Sequence, residues 1–249
     1  VADHPKPYVR EELDARSMHF GLTEIQSRMQ ILRPHALALE YTRTMMGFLL
    51  WKPEPARIAM LGLGGGSIAK FCHRYLPNTS MAVVEINPHV TALRDAFEVP
   101  PDSPRFRIIE ADGARFIAET HDRFDVLMVD AFDADGMPES LGTQRFYDDA
   151  CDVLCADGLF AVNLHAGHPH LPVYIERIRK SFGGDVLRVD DSDGSNSVVF
   201  ARKNAAAIGA TLATPRRPPA LAPEAFEQLR GAFSRIGHAS REHQRLRDK

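Results

Sequence analysis

Cysteine and tryptophan are scarce in this chain, and it has neither a long apolar run nor an excess of positive charge. Three cysteines, Cys72, Cys151 and Cys155, are too few for a disulfide framework, so a reducing cytoplasm is the expected compartment. Cys151 and Cys155 stand four apart on an expected helix with no third or fourth ligand in view; they read as buried helical cysteines, and no metal is expected. The longest apolar candidate, 45–51, falls far below the roughly 18 residues of a spanning helix. Residues 1–7 are polar and carry no hydrophobic core of a secretory signal. A formal charge of −3 argues against a general nucleic-acid binder, and no membrane partner is expected. With 44% apolar and 25% charged residues, the 249-residue chain has a globular composition and can bury a large core.

What is present is an alternation. Apolar runs at 57–62, 81–85, 106–110, 124–130 and 158–164 are each followed by a helical pattern, and two late strands, 185–189 and 196–201, have no helix between them. Such spacing predicts a Rossmann-like, doubly wound α/β fold. Its seven-stranded sheet should be mostly parallel, covered on both faces and closed by an antiparallel pair. Residues 1–52 read as an appendage, a small β-hairpin followed by a helix at about 35–51. The sheet domain is expected over 53–204. The remainder, 205–249, is expected to be an Ala/Pro-rich linker and an amphipathic helix at about 223–247.

The chemistry concentrates where strand one ends. Arg57-Ile-Ala-Met-Leu-Gly-Leu-Gly-Gly-Gly-Ser67 is a strand running into glycines and then a helix, which permits a tight turn and close approach of a ligand to the backbone. Gly62, Gly64 and Gly65 are the candidate ligand-facing positions. In open α/β sheets ligands bind beyond the carboxyl ends of the strands, and strands two to four each deliver an acid there. Glu85 follows Gly62 by 23 residues, the place of a ribose-binding carboxylate. Asp112-Gly113 follows strand three and suits an exocyclic adenine amine. Asp130 ends strand four, with Asp133 three residues on. Any one of these can equally be a helix N-cap or a solvated loop acid. Together they suit a cationic adenosyl sulfonium better than a pyrophosphate, and Ser67 stands where a dinucleotide fingerprint wants glycine or alanine.

These residues carry a resemblance to the spermidine/spermine synthases, within the class I S-adenosylmethionine-dependent fold. Asp130 to Tyr147 follows that family's D-x-x-D-P-x-G-P-x-E-x-L-F-x-x-x-F-Y pattern without a gap, keeping Asp130, Asp133, Gly136, Glu139, Leu141, Phe146 and Tyr147. Val84-Glu-Ile-Asn-Pro88 resembles V-E-I-D-P, and Asp112-Gly113 its D-G pair. The resemblance implies aminopropyl transfer from decarboxylated S-adenosylmethionine to an amine. By the same resemblance Asp130 is the acid/base, Asp133 and Tyr41 lie on the amine side, Glu85 holds the ribose and Asp112-Gly113 the adenine. A homodimer is expected.

Several positions depart from the family pattern. Gly65 replaces the loop aspartate that contacts the aminopropyl amine, Asn87 replaces an aspartate, and Arg43 stands near the place of a glutamate. A late tyrosine is absent from 190–196. Two alternatives therefore stay open: a methyltransferase using S-adenosylmethionine itself, and a nucleoside-binding or assembly protein without catalysis.

Overall fold

The computed structural model describes residues 4–21, 25–132, 136–204, 208 and 216–247. Three short strands, β1 (Tyr8–Glu11), β2 (Ala15–His19) and β3 (Ser27–Gln30), form an antiparallel meander, so the expected hairpin carries a third strand. Helix α1 (Glu40–Met45) continues as a 3-10 turn, Met46–Leu50. The expected helical start at 35 moves to 40 because Leu39 is extended and the Leu37 amide donates 3.1 Å to the Gln228 side chain, far along the chain.

Then the alternation begins. The elements are β4 (Arg57–Leu61), α2 (Ser67–Tyr75), β5 (Ser80–Glu85), α3 (Pro88–Thr91), β6 (Phe106–Glu110), α4 (Gly113–Glu119) and β7 (Phe124–Val129). After them come α5 (Gln144–Asp152), β8 (Leu154–His165), α6 (Leu171–Ser181), β9 (Val186–Asp190), β10 (Asn196–Arg202) and α7 (Pro223–Arg247). The seven strands lie in the order β6-β5-β4-β7-β8-β10-β9; β4 to β8 are parallel, and β10 is antiparallel to both its neighbours. This is the expected doubly wound sheet with its antiparallel finish. Its order reverses between β4 and β7, where such sheets open a crevice.

One local expectation fails. Cys155 is not helical: Leu154 already pairs with Phe124, so α5 stops and the chain enters β8 through a register shift. Cys151 and Cys155 are only partly buried; Cys72 is the fully buried one, and its thiol is pushed up to about 12 by desolvation.

Both faces of the sheet are covered. On one, α4, α5 and α6 close over Leu127, Val129, Phe160 and Val162. On the other, Met18 and Met29 of the meander, Met45 and Phe48, and Leu229, Phe233 and Ile236 of α7 join Met60, Met128 and Phe200 in one cluster. The N-terminal and C-terminal segments thus complete the core on that face. Each fully buried Leu, Ile or Phe contributes on the order of 1.5–3 kcal/mol. The far end of α7 is tied down by Asp185, which accepts from the Ile208 amide at 2.6 Å and meets His243 at 2.6 Å and Arg247 at 2.7 Å. Most of the expected linker lies outside the described residues.

Candidate active site

Register decides which side chains meet at the crevice. Leu61 pairs with Val129 and with Val84, and Val129 pairs with Val162. The next residue on each strand therefore emerges at one edge, which brings Gly62, Glu85, Asp130 and Asn163 side by side. The strands are near-continuous apolar runs because both faces are buried; their first polar residues mark where the sheet meets the cavity.

Gly62 has φ +92, and a Cβ there would run into the Asp130 carbonyl oxygen and come within 2.8 Å of its carbon. Only glycine lets these two strand ends lie so close. Gly64 and Gly66 also have positive φ, and Gly66 opens α2. Gly65 is closed in differently: a Cβ would sit 2.6 Å from Ser27 Oγ and 2.8 Å from the ring of Phe97. The space for the aspartate of the resembled pattern is filled by a meander serine and a buried phenylalanine. That is the physical content of the substitution.

Glu85 is almost fully buried, and its two oxygens accept from the Leu63 and Asn87 amides, each at 2.8 Å. Desolvation raises its pKa, while those amide bonds oppose the rise. The carboxylate is thereby oriented before any ligand arrives. Asn87 caps α3 through the His89 amide at 3.0 Å and donates 2.8 Å to the Pro5 carbonyl, drawing the N-terminal segment across the cavity. Asp112 does serve as an N-cap, accepting from the Arg115 amide at 2.8 Å, and it also lines the cavity beside Gly113. Its role as a cap and its place at the site coexist.

Asp130 is the chemically distinctive group. Burial pushes its carboxyl up to about 6, against the opposing effects of Asn163 and Tyr41. Asn163 donates through Nδ2 to Asp130 Oδ1 at 3.0 Å, and the Tyr41 phenol lies against the same carboxylate. The phenol's own pKa is raised, first by burial and then by Asp130. A carboxylate held near 6 and lined up by an amide and a phenol is poised to take a proton near neutral pH.

The cavity holding these groups is about 380 Å³ and is lined by Gly62, Gly64, Glu85, Asp112, Gly113, Tyr41 and Asp130, with Met18, Ile68 and Val84 among its apolar walls. Its size suits a nucleoside-sized ligand. A second cavity of about 580 Å³ adjoins it, and Gln26, Tyr41 and Phe132 line both. Gly65 does not line either cavity, and Asp133 lies outside the described residues. Sequence reasoning passed over Asn163, the lone amide in the apolar run 158–164, and Ser27, which carries no local signal.

Residues 38–183 match the spermine/spermidine synthase domain. The chain belongs to the spermine/spermidine synthase family. A polyamine aminopropyltransferase of Neisseria meningitidis serogroup A is 39% identical over 199 residues, spanning 79% of this chain and 76% of the relative. A probable spermidine synthase from Corynebacterium glutamicum superposes with a TM-score of 0.69 at 20% identity, over 79% of this chain and 76% of the other. A spermidine synthase in complex with the transition-state analogue AdoDATO gives a TM-score of 0.60 at 18% identity, over 97% and 89% of the two chains. These two structures establish the methyltransferase-like fold. The 39% identity carries the family assignment beyond fold.

Proposed function

We propose that the protein transfers an aminopropyl group from decarboxylated S-adenosylmethionine to an amine, with Asp130 as the acid/base. The observation that carries this reading is the Asp130 carboxyl, pushed up to about 6 by desolvation in the first cavity and set against Tyr41, which lines both cavities. Membership of the family and the aminopropyltransferase named among its relatives support it.

In this reading the first cavity takes the nucleoside. Glu85 would hold the ribose hydroxyls through lone pairs left after its two amide bonds, and Asp112-Gly113 would face the adenine. Gly62 and Gly64 let the backbone close on the ligand. The acceptor enters through the second cavity as an ammonium. Ionised Asp130 takes one of its protons, and the freed lone pair attacks the carbon beside the sulfonium. A C–N bond forms while the C–S bond breaks, and its electron pair returns to sulfur, leaving neutral methylthioadenosine. The new nitrogen stays protonated as a secondary ammonium, and Asp130 returns to its ionised form by releasing its proton to solvent. Tyr41 and Asn163 keep the carboxylate aimed, and fixed placement supplies much of the rate. Asp133 completes the amine side in this proposal.

The reading extends to a homodimer in a reducing cytoplasm. Leu13 and Leu32, fully exposed or nearly so at the ends of the meander, supply apolar surface for a second copy. A monomer by light scattering at micromolar concentration removes the dimer.

Calorimetry tests the donor. Decarboxylated S-adenosylmethionine should bind at least tenfold more tightly than S-adenosylmethionine. The opposite preference would favour methyl transfer, toward which the lost carboxylate at Gly65 leans.

A further inference from the structure

Helix α7 lies outside the matched family domain, yet it grips the segment that carries Tyr41 to Asp130. Gln228 accepts from the Leu37 amide at 3.1 Å, just ahead of α1. Two turns further along the same face of α7, Arg235 pairs with Glu40 at 3.0 Å and donates to Thr44 Oγ1 at 3.2 Å. Glu40 and Thr44 stand one turn apart on α1, so a single guanidinium clasps one face of that short helix.

Glu40 is held from a second side. It accepts from the Ser192 amide at 3.0 Å and from the Ser192 hydroxyl at 2.6 Å, in the connection between β9 and β10. Burial pushes its carboxyl up, but Ser192, Arg235 and Arg43 outweigh that and hold it below the ordinary value. The apolar contact beneath is equally close. A Cβ on Gly47, in the turn that continues α1, would run into Ile236 of α7 and sit 2.9 Å from the Phe200 ring.

Tyr41 is the next residue after Glu40 and therefore points about 100° around the helix, toward Asp130. Any roll of α1 moves its phenol. Among the described residues, Asn163 from β8 and Tyr41 from α1 are the groups, besides burial, that shift the Asp130 carboxyl; Arg235 and Glu40 are not. An effect of Arg235 on Asp130 therefore has to pass through Tyr41.

Resting on the aminopropyl-transfer reading, we infer that Arg235 is a positioning residue: through Glu40 and Thr44 it fixes the roll of α1, and with it the aim of the Tyr41 hydroxyl at the Asp130 carboxylate. The last helix is thus a working part of the site and more than a cover for the sheet.

The test is the pH profile of kcat/KM for amine-dependent release of methylthioadenosine, for the unaltered protein, Arg235→Met, Arg235→Lys, Tyr41→Phe and the Arg235→Met/Tyr41→Phe double variant. Carbon-13 NMR titration of carboxyl-labelled aspartate, assigned with Asp130→Asn, reads the same group without turnover. The unaltered midpoint should lie at about 6. A phenol that donates to the ionised carboxylate lowers that midpoint, so Arg235→Met should raise it by about half to one pH unit, a three- to tenfold loss of kcat/KM below the midpoint. Tyr41→Phe should raise it at least as far, the double variant no further, and Arg235→Lys should recover part of the shift. If Arg235→Met does not fold, Glu40→Gln breaks the same pair from the α1 side and should shift the midpoint in the same direction. An unchanged midpoint with a lowered Tm, or shifts that add in the double variant, overturns the inference and leaves aminopropyl transfer standing. No product with any amine from folded unaltered protein overturns the transferase reading, and the NMR titration still decides whether Arg235 acts on Asp130 through Tyr41.

Discussion

Gly62→Ala tests whether the glycine loop and the base are one mechanical unit. The new methyl would meet the Asp130 carbonyl, 2.8 Å from its carbon and closer still to its oxygen, and both atoms are backbone that cannot rotate away. The residue also sits at φ +92, where an L side chain is strained. Strain of about 1–3 kcal/mol and overpacking of similar size give a loss of roughly 2–6 kcal/mol. For a chain of this size each kcal/mol lowers Tm by about 2–4 °C, so a fall of roughly 4–24 °C is expected. Gly64→Ala is the control. It too has positive φ (+51), but its nearest neighbour would be 3.8 Å away, in ordinary contact, so only the backbone strain applies. Thermal denaturation of the two variants, followed by turnover below the lower Tm, reads both effects. Gly62→Ala should be the less stable and should lose more than tenfold in kcat, because Asp130 moves with its carbonyl. Equal stability and equal turnover in the two variants would refute the coupling.

Other consequences follow from single groups. Because Asp130 must be ionised to accept a proton, kcat/KM should climb about tenfold per pH unit and level off above about 6, and a flat profile through that range excludes it as the base. Its raised carboxyl pKa works against stability: the native state keeps a proton the unfolded chain has lost, so stability is full below the ordinary value of 3.8 and declines as pH rises through about 6. Asp130→Asn should therefore melt no lower than the unaltered protein at pH 8, while losing turnover. Asp185 has the opposite sign, its carboxyl held low mainly by His243, the Ile208 amide and Arg247 against the cost of burial. Its contribution is present at neutral pH and is lost as pH falls through its depressed value; Asp185→Asn should cost about 2–4 kcal/mol in denaturant unfolding at pH 7. Gly65→Asp, although it restores the family residue, should destabilise by about 1–3 kcal/mol against Phe97 and give no gain in kcat.

The strands of the parallel sheet were legible because burial on both faces makes them unbroken apolar runs such as 126–129, and α7 because its apolar residues recur at helical spacing over 25 residues. Glu85 and Asp130 were legible for a related reason: each is the first charged residue after such a run, so it has to stand at the sheet edge. Asn163 was not, since its meeting with Asp130 depends on β7 and β8 pairing in parallel across the intervening helix. That is a long-range pairing with no local mark. The late start of α1 had the same origin, an amide bonded to Gln228 on a helix nearly 200 residues away. The loss of the loop aspartate at Gly65 was visible in the chain, but its cause, Ser27 and Phe97 filling the space, belongs to packing between elements distant in sequence.

The most direct measurement is amine-dependent formation of methylthioadenosine from decarboxylated S-adenosylmethionine, by the unaltered protein and by Asp130→Asn. Catalysis by Asp130 predicts product that requires the amine, and a loss of at least a hundredfold in kcat for the variant with binding of the sulfonium kept within a few-fold. Product formed equally well by the variant, or no product from folded unaltered protein with any amine, would contradict it.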